Sequence, residues 1–148
     1  MRVVDTNVLV YAVDSRSSQH RASVAWLDAA LDGADDVGFS WNALLGFVRL
    51  TTNPRVFPSP LTVSEAMAQV HDWLAAPSAH VLHPGARHAE ILERLLVARG
   101  TAANLVNDAH LAALALENRA SVVTYDTDLS RFDGIRAVNP DELTPRDR

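Results

Sequence analysis

Short apolar runs alternate along this chain with longer stretches in which apolar residues recur every three or four positions. Arg2-Val3-Val4-Asp5 reads as a short buried strand, and Val8 to Asp14 follow as the first turns of a helix. From Ser18 to Leu31 the spacing predicts a second helix with Ala22, Ala25, Trp26 and Ala29 on one face, ended by Gly33. Val37-Gly38-Phe39-Ser40 is a second strand. Trp41 to Thr52 is an apolar helix that stops ahead of Pro54, because a proline pushes the residue before it out of the helical region. Asn53 to Pro60 is a proline-rich connection. Thr62-Val63-Ser64-Glu65 has the form of a capping box and opens a helix that reaches Leu74. Ala79 to His83 reads as a third strand, Ala86 to Arg99 as a helix closed by Gly100, and Leu105 to Asn118 as another helix. Ser121 to Thr124 is a fourth strand and Arg136 to Val138 a fifth. This alternation predicts a three-layer α/β fold, with a mainly parallel central sheet of four to five strands and helices on both faces.

A length of 148 residues with 48 % hydrophobic content suits one domain, expected over residues 1–143, with a polar tail over 144–148. The apolar runs Val8 to Val13 and Leu111 to Leu116 are too short to span a membrane, and no cationic segment leads into an apolar signal core. A cytoplasmic protein is the expectation. The absence of cysteine excludes disulfides, thiolate metal sites and a cysteine nucleophile. All 13 basic residues are arginine, so no mechanism can rely on lysine. A net charge of −5 opposes a broadly basic nucleic-acid surface. The two are compatible if the acidic excess gathers at a metal site, where a bound cation reverses the local field and arginines line the approach.

Four aspartates carry the candidate chemistry. Asp5 follows two valines at the carboxyl end of the first strand, the edge at which open parallel sheets bind ligands; it is equally suited to capping the helix that follows. Asp108 shares a helical stripe with Leu105, Ala109, Ala112 and Leu116. A carboxylate on that buried-facing stripe requires a partner, either a divalent cation or the amides and dipole of the helix start. Asp126 falls on the same side as Val122 and Thr124 by period-two alternation, and Asp128 joins it if the chain stays extended. Clustered carboxylates suit a hard ion such as Mg2+ or Mn2+, which can acidify a water and offset charge on phosphoryl oxygens. The histidines are poorer candidates: His83 and His88 lack ligand spacing, and His110 lies well round the helix from Asp108. Trp26, Trp41, Trp73 and Phe47 could stack on bases but sit at helical core positions.

Several segments together resemble PIN-domain toxins of the VapC family. They are Val4 to Leu9, Phe47 to Arg49 with Thr52 to Phe57, Leu105 to Ala115, and Val123 to Phe132, in that order along nearly the whole chain. The resemblance implies a PIN-like fold and a magnesium-dependent endoribonuclease, held inactive by a cognate VapB-like antitoxin and assembled as a homodimer. It implies Asp5, Asp108 and Asp126 as catalytic metal carriers, with Asp128 close by. Arg49, Arg55, Asn7 and Thr124 are candidates for contacting RNA, the arginines through bidentate guanidinium–phosphate bonds. One position departs from the family. Where an acidic residue commonly precedes the apolar residue of the middle helix, this chain has Gly46 before Phe47. A glycine cannot ligate through a side chain, which favours one ion over two.

Two other readings compete. Receiver domains and haloacid-dehalogenase-like phosphatases also set carboxylates beside magnesium, but they typically place a lysine near the phosphoryl group, and none exists here. A PIN-like module that binds RNA or protein without cutting is kept open by Gly46.

Overall fold

In a computed structural model that describes residues 1–100 and 103–144, five strands form one wholly parallel sheet. They are β1 (Arg2–Val4), β2 (Val37–Ser40), β3 (Ala79–Leu82), β4 (Ser121–Val123) and β5 (Ala137–Val138), in the spatial order β3-β2-β1-β4-β5. In register, Arg2 faces Val37 on one side and Ser121 on the other, and Val4 faces Val123. The connecting helices are α1 (Thr6–Val13), α2 (His20–Ala29), α3 (Trp41–Thr51), α4 (Val63–Ala75), α5 (His88–Arg99) and α6 (Val106–Glu117), followed by a short α7 (Pro140–Leu143).

Strand alternation divides the core in two. Val4 and Val123 point to one face and pack with Leu9, Leu27, Phe47 and Trp73 from α1 to α4. Val3 and Val122 point to the other and pack with Leu95, Ala112 and Leu114 from α5 and α6. The three-layer architecture expected from the sequence is the one observed. Consecutive steps from β1 to β3 carry their helices on one face. The return to β4 carries its helices on the other, as crossovers of a single hand require.

Several element boundaries and faces differ from the sequence reading, each for a local reason. The first helix starts at Thr6, because Asp5 leaves the strand and caps it with its carboxylate. On α2 the buried residues are Ser23, Trp26 and Leu27, whereas Ala25 and Ala29 are exposed. Alanine gains little from burial, so the large apolar pair sets the helix phase. The helix predicted from Leu105 is preceded by a tight turn over Ala103–Leu105 and begins at Val106. α7 escaped the periodicity reading, being a single turn, although Asn139-Pro140-Asp141-Glu142 carries a complete capping box with proline in the first turn. Thr144 was assigned to the tail. Its N–H and hydroxyl both donate to the Pro140 carbonyl and close α7. Residues 145–148 lie outside the described residues.

Trp26, Phe47 and Trp73 are core residues, and Trp41 stands half-exposed at the start of α3. The nearly buried His88 bonds Glu117 Oε2 at 2.7 Å and His110 Nδ1 at 2.9 Å, clasping α5 to α6. Among the described residues no helix is long and apolar enough to cross a membrane.

Candidate active site

The strand order places β1 between β2 and β4, so the connections leave it in opposite directions. In such sheets the crevice beyond the carboxyl ends of the two diverging strands is left open. Here it is a cleft of about 680 Å³ whose lining includes Asp5, Asp108 and Asp126. β1 delivers Asp5, β4 leads into Asp126, and the first turn of α6 carries Asp108. The facing wall is α3, through Asn42, Gly46 and Arg49.

Hydrogen bonds stitch the ends of β1 and β4 together. The Asp5 N–H donates to the Val123 carbonyl at 3.0 Å. Asp5 Oδ1 accepts from the Thr6 N–H at 2.7 Å. Its Oδ2 accepts from the Thr124 hydroxyl at 2.7 Å and from Asn7 Nδ2 at 3.0 Å. Asn7 Oδ1 in turn accepts from the Tyr125 N–H at 3.1 Å. Thr124 Oγ1 accepts from Asn7 Nδ2 at 3.1 Å and from the Asp126 N–H at 2.9 Å. Thr124 is 4 % exposed and its hydroxyl makes every bond open to it. Assigned to RNA contact from the sequence, Thr124 is a buried brace for Asp5 and Asp126, and Asn7 turns its amide into the same network. Nothing in the sequence aimed either side chain; only the pairing of β1 with β4 does.

Asp126 and Asp128 part company. β4 ends at Val123, the backbone is still extended at Asp126, and Asp126 caps a tight turn over Thr127–Arg131 by accepting from the Asp128 N–H at 2.9 Å. Asp128 pairs with Arg131 at 3.2 Å and is not among the cleft-lining residues, although its charge reaches Asp108. Arg49 lines the cleft. Arg55 lies in the exposed connection after α3 and does not.

The electrostatics fit a cation. Burial raises the pKa of Asp5 above the ordinary value, opposed by the bonds from Thr124 and Thr6 and aided by the charge of Asp126. Asp108 accepts no hydrogen bond among the described residues, and its pKa is pushed up to about 6, first by burial and then by Asp126, Asp5 and Asp128. Three like charges face one open space with hard oxygen donors, the chemistry that Mg2+ or Mn2+ relieves. Among the described residues no group of three or more His, Asp or Glu side chains is placed so that it could hold a metal ion by itself. An ion held from the cleft walls would therefore keep coordinated waters.

Metal binding needs ionised carboxylates. The affinity for Mn2+, followed by calorimetry, is therefore expected to fall about tenfold per pH unit below about 6. The stability of the metal-free protein runs the other way. Asp108 has a folded pKa above the 3.8 of a free aspartate, so the native state holds the extra proton between the two values, and stability declines as pH rises through that window. Asp108→Asn is expected to flatten this slope in urea titrations from pH 4 to 7; an unchanged slope would exclude Asp108 as its source.

Gly46 is closely fitted. A Cβ built there would stand 2.9 Å from both Cγ2 and Oγ1 of Thr6, whose hydroxyl donates to the Ala43 carbonyl at 3.4 Å. Alanine normally stabilises a helix interior by about 1 kcal/mol over glycine. At this position overpacking of roughly 1–3 kcal/mol is expected to win. Gly46→Ala should therefore destabilise, and Thr6→Ala, which removes both contacting atoms, should restore part of the loss. A urea double-mutant cycle with no coupling would show that the contact carries no energy.

A family model described as PIN domain matches residues 2–135. The chain is 58 % identical over 143 residues to Ribonuclease VapC37 of Mycobacterium tuberculosis, covering 97 % of this chain and 99 % of that one. It is 38 % identical over 140 residues to Ribonuclease VapC33 of the same organism, covering 95 % and 98 %. A solved structure of VapBC2 from Rickettsia felis, bound to a DNA fragment from their promoter, superimposes with a TM-score of 0.67 at 16 % identity over 93 % of this chain and 97 % of that one. At that identity the likeness is one of fold. Sequence and fold agree with a three-carboxylate cleft at the diverging strands, and the chain belongs to the PIN-domain family, within its VapC group.

Proposed function

We propose that this protein is an Mg2+- or Mn2+-dependent endoribonuclease that hydrolyses RNA phosphodiester bonds with water as the nucleophile. The observation that carries the reading is the arrival of Asp5, Asp108 and Asp126 in one cleft from three separate parts of the chain. Similarity to mycobacterial ribonucleases over nearly the full length supports it. Asp5, Asp108 and Asp126 would hold the ion, with Asp128 adding negative charge from the turn beyond. When bound, the ion lowers the pKa of a water and offsets charge on the phosphoryl oxygens. Among the described residues the cleft presents no activated side-chain nucleophile. The hydroxyls lining the cleft, those of Thr6 and Ser40, are engaged with the Ala43 carbonyl and the Ala43 N–H. Asn7 and Thr124 fix the orientation of Asp5, and Thr124 holds the backbone of Asp126.

By the same family likeness, the protein acts in the cytoplasm as the toxin of a toxin–antitoxin pair, restrained by a VapB-like antitoxin and assembled as a homodimer. Purified protein is expected to shorten members of a pool of structured RNAs in Mg2+ or Mn2+, to stop in EDTA, and to leave small phosphate esters intact. Release of inorganic phosphate from those esters would replace this reading with a phosphatase. Binding of RNA without cutting would favour the non-catalytic module that Gly46 keeps open.

A further inference from the structure

α3 turns Asn42, Gly46 and Arg49 towards the cleft. These positions are four and three residues apart and so stack along one side of the helix. Helical side chains lean towards the helix N-terminus. The N-terminus of α3 follows directly on the carboxyl end of β2, at the sheet edge where Asp5 leaves β1. Arg49 therefore leans back over the turn that holds Gly46, where the nearest side chain is that of Thr6. Other arginines near carboxylates are paired: Arg2 with Asp35, Arg16 with Asp14, Arg87 with Glu90 and Arg131 with Asp128. Among the described residues Arg49 makes neither an ion pair nor a side-chain hydrogen bond, although three carboxylates line the same cleft.

We propose that Arg49 binds the phosphoryl group being cut and offsets the charge that develops on its oxygens. This rests on the nuclease reading above. With glycine at 46, α3 offers no acidic ligand to a second metal ion, and the positive charge on that wall is the guanidinium itself. Its planar fork matches two phosphoryl oxygens and stays protonated throughout the reaction. In the cut, a water oxygen bonds to phosphorus as the bond from phosphorus to the leaving ribose oxygen breaks. The water loses a proton to solvent and the leaving oxygen gains one, so nothing but water is consumed. Arg49 moves no proton.

The test uses the full chain and its Arg49→Ala and Arg49→Lys variants, with a pool of structured RNAs as substrate. Arg49→Ala is expected to lower kcat about 100-fold, the scale of losing one donor to a developing oxyanion. Its calorimetric affinity for Mn2+ should stay equal or tighten, since a nearby cation has gone. Binding of a mixed-sequence single-stranded RNA in EDTA, read by anisotropy against salt, should lose a slope of about 0.7, the signature of one phosphate contact. Arg49→Lys should regain the slope and only part of the rate. An Arg49→Ala protein that cleaves within a few-fold of the parent and keeps its salt slope overturns the proposal. If no form cleaves RNA, the nuclease reading falls, and the salt slope alone decides the phosphate contact.

Discussion

On the proposed function, Asp108→Asn is expected to leave a folded protein whose RNA cleavage has dropped about 1,000-fold, since an ion held in the cleft would contribute several kcal/mol of charge stabilisation and each 1.4 kcal/mol is tenfold in rate. Its Mn2+ binding heat should disappear with the activity. Without metal the variant should be at least as stable as the parent near pH 7. The raised pKa of Asp108 means that its ionised form is disfavoured in the native state, and the side chain accepts no hydrogen bond among the described residues. Solvent reaches the group, so the gain is held below about 1 kcal/mol. Asp5→Ala should lose cleavage to the same extent and behave oppositely in stability. It leaves the Thr6 N–H and the Thr124 hydroxyl without their acceptor, at roughly 1–3 kcal/mol for each group left unsatisfied, and takes one of the two acceptors of the Asn7 amide. Thermal melts in EDTA with parallel cleavage assays separate the two. Cleavage by either variant within tenfold of the parent would remove that aspartate from the metal site.

Thr124→Val tests the brace behind the carboxylates. The two side chains are nearly isosteric, so the change removes one hydroxyl from a buried position. The Asp126 N–H and the Asn7 amide then lose an acceptor and Asp5 loses a donor. The part-buried Asp126 N–H is orphaned and the Asn7 amide keeps only its bond to Asp5, at a cost of roughly 1–3 kcal/mol, a sizeable part of the ~5–15 kcal/mol that holds a typical domain together. Metal affinity should fall about 10- to 100-fold, as it does when the groups orienting a ligand are removed. Thr124→Ser keeps the hydroxyl and should restore metal affinity while losing only the methyl contact. A valine variant with unchanged urea midpoint and Mn2+ affinity would mean that Asp5 and Asp126 orient themselves.

The aspartates on which these experiments turn were visible in the chain because each lies where an element begins or ends. Two valines lead into Asp5, two more into Thr124 and Asp126, and Asp108 interrupts a stripe of apolar residues. What could not be read was which neighbours each would meet. The Thr124 hydroxyl reaches Asp5 across 119 residues of sequence. Asp128 was grouped with Asp126 by assuming an extended chain, and the capping bond from its own N–H to Asp126 turns the backbone away. The alanine pattern of α2 points to the wrong face because burial of Trp26 and Leu27 outweighs that of the alanines. α7 is a single turn and has no periodicity along the chain.

Local rules acting over a few residues set the strands, most helices, their caps and the layer count, and these the sequence determined by itself. The order of the strands was decided only in three dimensions. Placing β4 against β1, with β2 on its other side, depends on which apolar faces pack best across more than a hundred residues. That choice opens the crevice beside Asp5, brings Asp126 and Asp108 to it, and sets Gly46, packed by Thr6, on the wall that carries Arg49. Hydrophobic period is a property of neighbours along the chain, whereas a shared cleft is a property of neighbours in space.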